Sequence, residues 1–261
     1  MAYVVNEGAK LFWRQDGSGP PVLLIMGLSF THEMWFRVTP DLTGEYRAIV
    51  FDNRGMGRSD VPRGPYTMRQ MASDARAVLD AAGVQSAHVI GASMGGMIAQ
   101  ELALRHPERV RSLVLGCTSS RGLLGKWPEF RYGPRQWKGS SREERERSLR
   151  ALLYAETTPP ARIEEDLRVR CNCAWCYKGF LNQFAGILIW SAYRRLPRIS
   201  VPTLVLHGDQ DRLVPPENGK VLASRIPGSR FELIKDAGHI LITDQPQACI
   251  QAIQGFFREQ G

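Results

Sequence analysis

The chain has 261 residues, enough to bury a sizeable core as one large domain or two small ones. Its 43% hydrophobic and 23% charged residues describe a water-soluble globular protein, and no apolar segment approaches the length needed to span a bilayer. A formal charge of +8 admits a polyanionic partner, but in Ser141-Arg142-Glu143-Glu144-Arg145-Glu146-Arg147 acids and bases alternate as on a solvated helix. No nucleic-acid motif accompanies that run, so neither nucleic acid nor membrane is expected as a partner, although some arginines could attract anionic substrates. Met1 to Trp13 carries Glu7 and Lys10 among its apolar residues and lacks the apolar core of a signal peptide, which makes the cytoplasm the expected location.

In chain order, strand-like runs are Ala2–Asn6, Lys10–Gln15, Val22–Met26, Arg47–Asp52, His88–Ile90, Val110–Leu115, Thr203–His207 and Arg230–Ile234. Helical periodicity marks Thr67–Ala82, with Gly83 as its end signal, then Met94–Arg105, Pro216–Arg225 and Gln247–Arg258. This alternation is the signature of an α/β layer structure. The stretch from 121 to 195 interrupts it with helical charge patterning, Pro159-Pro160 and little β character. We read 1–120 and 196–261 as the core domain and 121–195 as an inserted helical cap.

Between the run Ala87-His88-Val89-Ile90 and the helix from Met94 stands Gly91-Ala92-Ser93-Met94-Gly95-Gly96. A G-x-S-x-G turn of this kind exposes a serine in a strained conformation at the apex of a strand-to-helix turn, and its neighbours must be small where strand and helix pass closely. Ser93 is the candidate nucleophile. It needs a base and a group that orients the base.

Five histidines compete for the base. His88 lies at the wrong end of its strand, and His106 stands before Pro107 where a helix stops. His32 follows an early strand, as a surface residue or near a pocket mouth, while His207 ends a strand in a packing or hydrogen-bonding role. His239 lies on a loop leaving the C-terminal end of a strand, where sites in open α/β sheets gather. For the acid, chain order Ser…Asp…His points to His207-Gly208-Asp209-Gln210-Asp211, with Asp211 preferred and Asp209 bracing the loop. Asp236 and Asp244 flank His239 and could brace its loop instead. An alternative acid position after the sixth strand is empty of carboxylates, since Gly116-Cys117-Thr118-Ser119-Ser120 contains none.

With these residues assembled, the chain resembles the α/β-hydrolase superfamily. The resemblance rests on Val22 to Leu28, Phe51-Asp52-Asn53-Arg54-Gly55-Met56-Gly57-Arg58-Ser59-Asp60, the serine turn, His207 to Pro215 and Gly238-His239. Within it the chain looks most like small serine esterases and lactonases, notably enol-lactonase-like and acyl-lactone-hydrolysing members, through Gly64-Pro65-Tyr66-Thr67 and the neighbourhood of the serine. The resemblance implies a mostly parallel eight-stranded sheet with flanking helices, and a Ser93-Asp211-His239 triad cleaving carboxylic esters or lactones through an acyl-enzyme. It implies an oxyanion hole from the backbone N–H groups of Leu28 and Met94, and no cofactor or metal. Many relatives have His-Gly after the third strand where this chain has Met26-Gly27. That change bears on loop bracing rather than catalysis and adds apolar surface to the acyl pocket.

Trp127, Phe130, Trp137, Trp175, Phe180, Phe184, Ile187 and Trp190 enrich the cap in large apolar groups and are the candidate lining of a mostly apolar substrate pocket. Cys171, Cys173 and Cys176 form a cluster without a nearby histidine, which reads as helix thiols rather than a metal or redox site. Cofactor-free haloperoxidase (perhydrolase) chemistry and carbon–carbon bond hydrolysis use the same triad. A slow-turnover ligand-binding or signalling protein could also retain it.

Overall fold

The computed structural model describes residues 2–122, 125, 141–172 and 176–260, with the backbone alone for residues 142, 143, 145, 146, 171 and 172. Eight strands form one sheet: β1 (Ala2–Asn6), β2 (Ala9–Asp16), β3 (Pro21–Ile25), β4 (Arg47–Phe51), β5 (Ala87–Ala92), β6 (Val110–Gly116), β7 (Thr203–Gly208) and β8 (Arg230–Ile234). Their order is β1-β2-β4-β3-β5-β6-β7-β8. β1 and β2 pair antiparallel, as do β2 and β4, and the pairings from β4 through β8 are parallel. Every expected strand is present, displaced by no more than two residues at either end.

The central strands are apolar on both faces because both are covered. Side-chain alternation sorts them: Val22 and Leu24 of β3 enter one core, and Leu23 and Ile25 the other. The Leu23 core is closed by α2 (Met68–Ala81) and α3 (Met94–Arg105). The Val22 core is closed by α1 (Thr39–Leu42) and the C-terminal helix α9 (Pro246–Arg258), which contributes Cys249, Ile250, Ile253, Phe256 and Phe257. α2 starts where the Thr67 hydroxyl accepts from Gln70 N–H, and Gly83 follows its end at φ +66°.

Between β6 and β7 lie α4 (Arg142–Leu153), α5 (Pro160–Asn172) and α6 (Tyr177–Ile189). Ser141 and Glu144 form a reciprocal capping box at the start of α4, which accounts for a helix in so charged a run. α6 seats tightly on the loop after β4: a Cβ on Gly179 would lie 1.9 Å from Gly55 O, and one on Gly186 would lie 1.8 Å from Tyr66 O. The remaining helices are α7 (Glu217–Arg225) and the short α8 (Leu241–Asp244). Among the described residues no helix is long and apolar enough to cross a membrane.

His88 shows how the core treats an ionisable group. Its Nδ1 lies 2.8 Å from Ser112 Oγ, and its ring stacks on Phe257 at 4.4 Å. Burial, with a smaller contribution from Arg111, pushes its pKa down to about 4. The unfolded chain therefore takes up a proton near pH 6.5 that the folded state refuses until about pH 4, so stability falls as pH drops through that window. The loss from this residue is expected to be on the order of 1–3 kcal/mol, read as a lower urea midpoint at pH 4.5 than at pH 7. His88→Leu should flatten the dependence; an unchanged slope would assign it to other groups.

Candidate active site

β5 runs into α3 through Ser93, which adopts φ 55°, ψ −121°. A residue with a side chain is held there only against a cost of about 1–3 kcal/mol. The surrounding glycines make the turn possible. A Cβ on Gly91 would lie 2.4 Å from Gly95 O, and one on Gly95 would lie 2.0 Å from Ile25 O, so strand, helix and β3 meet without side chains. Ser93 N–H donates to Gly116 O, and Thr118 Oγ1 donates to Ser93 O.

His239 reaches the serine from the loop after β8. Its Nε2 lies 3.0 Å from Ser93 Oγ and its Nδ1 lies 2.9 Å from Asp211 Oδ2. The other Asp211 oxygen accepts from Leu213 N–H and Val214 N–H, and His207 Nε2 stands 3.4 Å from Oδ2. Burial works to raise the Asp211 carboxyl, but the charge and hydrogen bonds of His239 and His207 outweigh it and hold it well below the usual carboxylate range. The carboxylate is thus held charged, and it accepts from His239 Nδ1.

The competing residues go elsewhere. Asp209 Oδ1 accepts from Ala237 N–H, a loop brace, and Asp236 pairs with Gln210. His207 is buried and hydrogen-bonds Val214 O. His106 caps the end of α3. His32 departs from the surface alternative: it is buried, with both its N–H and Nδ1 on Asp52 Oδ1 at 2.9 and 2.7 Å, although it borders a second pocket beside Arg14, Phe36 and Arg58. A buried carboxylate after β4 supplies the partner that the early histidine needs.

Across from the serine, Gly27 comes so close that a Cβ on it would lie 3.0 Å from Ser93 Cβ. Asn53 Nδ2 donates to Met26 O, and Gln183 of α6 accepts from Ser29 N–H, which braces this loop. Between those two anchors, the Leu28 N–H finds no acceptor among the described residues. Nor does the N–H of Met94, as first residue of α3. Two unused amide donors therefore flank the Ser93 turn.

Beside Ser93 and His239 opens a cavity of about 60 Å³ lined by Met26, Phe30, Met34, Trp35, Ile90, Val114, Cys117, Leu206, Ile240, Leu241, Ile242 and Ile253. The expected lining by the helical insertion needs correction. Phe180, Phe184, Ile187 and Trp190 do not border this cavity: Phe184, Ile187 and Trp190 pack on the α2–α3 side of the sheet, and Trp190 Nε1 donates to buried Glu101. Phe180 stacks on Phe184 at 5.9 Å. The close seating of α6 on the Gly55–Tyr66 loop turns Phe184, Ile187 and Trp190 toward that core. Trp127, Phe130, Trp137 and Trp175 lie outside the described residues. Sequence reasoning missed the walls themselves, Phe30, Met34, Trp35 and Ile240 to Ile242. Their signal was adjacency in sequence to the Gly27-Leu28 loop and to His239.

Of the cysteine cluster, Cys176 is the N-cap of α6, its sulfur accepting from Gly179 N–H, and the side chains of Cys171 and Cys173 lie outside the described residues. Cys117 occupies the alternative acid position after β6. It is buried, its Sγ 3.7 Å from Gly238 O, and burial pushes its thiol pKa well up.

A serine on a glycine-lined strand-to-helix turn of a mostly parallel sheet, hydrogen-bonded to a histidine that is itself held by an aspartate, both on loops after later strands, defines a class of hydrolase. The family described as alpha/beta hydrolase fold matches residues 20–246, and the chain belongs to it. Over 99% of its length it is 33% identical to the protein named "Putative carbamate hydrolase RutD" of Azorhizobium caulinodans, covering 99% of that protein. The enol-lactonase from Burkholderia xenovorans LB400 superposes with a TM-score of 0.86 at 25% identity, covering 98% of this chain and 100% of that one. A thermophilic esterase from Thermogutta terrifontis gives 0.83 at 30% identity, with 99% and 98% covered.

Proposed function

We propose that this α/β hydrolase is a serine carboxylic-ester hydrolase acting on small, mostly apolar acyl esters or lactones. The observation that carries the reading is His239 bridging Asp211 and Ser93 at 2.9 and 3.0 Å at the edge of an apolar cavity. Ser93 Oγ attacks the acyl carbonyl as His239 Nε2 takes its proton, while Asp211 stabilises the imidazolium that forms. The oxyanion is received by the Leu28 and Met94 N–H groups, which have no acceptor among the described residues to give up. His239 then protonates the departing alcohol, leaving the acyl group on Ser93. Water, deprotonated by the same histidine, attacks the acyl-enzyme and releases the acid. With a lactone, the departing alcohol stays tethered to the acyl chain.

The cavity has room for only a few water molecules, which suits a short acyl chain. Residues 121–195, the helical insertion, act in this reading as the cap over the core domain. The enol-lactonase and esterase among the similar structures support the same substrate class.

Steady-state hydrolysis of p-nitrophenyl acetate, butyrate and decanoate, together with simple and acyl-homoserine lactones, tests the proposal, with Ser93→Ala as the blank. Sustained turnover favouring the acetate and butyrate esters over decanoate is expected. A single burst that stops would replace the proposal with a slow binding or signalling role, and turnover undiminished in Ser93→Ala would remove the serine from the mechanism.

A further inference from the structure

The backbone on both sides of His239 is fastened to the segment joining α4 to α5. Ile240 N–H donates to Leu153 O at 2.9 Å. On the other side, Gly238 lies against the same segment, where a Cβ would come within 2.7 Å of Tyr154 C and 2.9 Å of Ala155 N. Asp244 closes this joint. Its Oδ2 accepts from Gly238 N–H at 2.6 Å and from Ala155 N–H at 3.2 Å, and its Oδ1 accepts from the Thr158 hydroxyl at 2.6 Å. One buried carboxylate therefore holds the residue preceding the histidine and two positions of the helical insertion.

A second buried carboxylate backs the joint. Asp166 of α5 accepts from Tyr154 OH and from Thr243 Oγ1, beside Asp244, and is paired with Arg37. Arg162 donates to the carbonyls of Thr243 and Asp244. Burial pushes the Asp244 carboxyl above its ordinary value, against the pull of Thr158 and the two N–H groups.

We infer that Asp244 is a positioning residue: it fastens the Gly238–His239 backbone to the Leu153–Thr158 segment, so that the helical insertion sets the distance from His239 to Ser93. The inference rests on His239 being the base of the proposed hydrolysis. The precision it provides matters because a displacement of about 1 Å in a reacting group can cost on the order of 100-fold in rate. Alanine at 244 frees Gly238 from Ala155 and Thr158. Asparagine keeps every contact, since its carbonyl takes the place of Oδ2 and its NH₂ can donate to the Thr158 hydroxyl, which turns to accept.

The test compares Asp244→Ala, Asp244→Asn and Thr158→Val in the full-length protein. Asp244→Ala should lower kcat for p-nitrophenyl butyrate by about 10- to 100-fold with KM within about threefold of wild type. Asp244→Asn should restore kcat to within about threefold. The low-field proton resonance of His239 Nδ1, held by Asp211, should shift or broaden in Asp244→Ala and stay in place in Asp244→Asn. Should Asp244→Ala fail to fold, Thr158→Val, which removes one hydroxyl, is expected to move the same resonance by a smaller amount. A wild-type resonance in Asp244→Ala, or an asparagine variant as impaired as the alanine one, would overturn the inference. If wild type hydrolyses no ester, the substrate reading fails, and the resonance still decides whether Asp244 positions His239.

Discussion

Asp211→Asn is expected to lower kcat by about 10⁴-fold on any ester this protein hydrolyses, while KM changes little and the protein stays folded. One Asp211 oxygen accepts two backbone N–H groups, from Leu213 and Val214, and will remain the carbonyl oxygen of an asparagine there. The NH₂ group must then face His239 Nδ1, where the carboxylate now stands at 2.9 Å. Two donors cannot share that contact, so the imidazole moves its proton to Nε2, the nitrogen facing Ser93 Oγ at 3.0 Å. An Nε2–H cannot accept the serine proton. The rate lost corresponds to about 5.5 kcal/mol of transition-state stabilisation, far more than one neutral hydrogen bond supplies to a fold. Michaelis–Menten kinetics beside a thermal melt separate the two effects. A loss below about tenfold would mean that another group orients the base.

The largest expected effect on stability lies away from the serine. Arg54 is 2% exposed and holds Asp74 through two bonds of 2.6 Å, from Nε and from one terminal nitrogen, while Asn6 Nδ2 also donates to Asp74. Asp74→Ala leaves a guanidinium in the interior with, among the described residues, a 3.5 Å approach to Asn6 O and the Tyr66 ring at 5.9 Å. An uncompensated buried charge of this kind costs about 3–5 kcal/mol. In a protein of this size that lowers the melting temperature by roughly 10 °C. The double variant Arg54→Met, Asp74→Leu should recover most of the loss, because removing both partners also removes the desolvation cost. If the double variant melted as low as Asp74→Ala, packing rather than charge would be the cause.

Much of the site was legible from the sequence because steric and bonding demands leave few residue choices. Gly91 and Gly95 marked the serine turn since no side chain fits where β3, β5 and α3 converge, and the lack of a carboxylate in residues 116–120 left the acid to the loop after β7, where Asp211 lies. The strands were equally legible, through runs apolar on both faces. The cavity wall was not, because richness in aromatic residues says nothing about which side of a sheet they face. Ile187 and Trp190 looked like pocket residues until α6 turned them toward α2 and α3, a placement set by the contacts of Gly179 and Gly186 with residues far away in the chain. His32 was illegible for the same reason: its partner Asp52 lies on another strand end, and burial followed from that pairing. Asp244 was visible as a carboxylate near the histidine, but its grip on Ala155 and Thr158 depends on a joint between segments distant in sequence.

Ser93 and His239, the proposed nucleophile and base, are 146 residues apart in the chain. Closing so long a loop is opposed by chain entropy until β6, β7 and β8 have paired in turn beside β5. A partly folded molecule in which β8 has not docked thus holds a formed serine turn with no base to activate it. Regain of hydrolysis during refolding should trail regain of helix signal, making enzymatic activity a reporter of the completed sheet rather than of compaction.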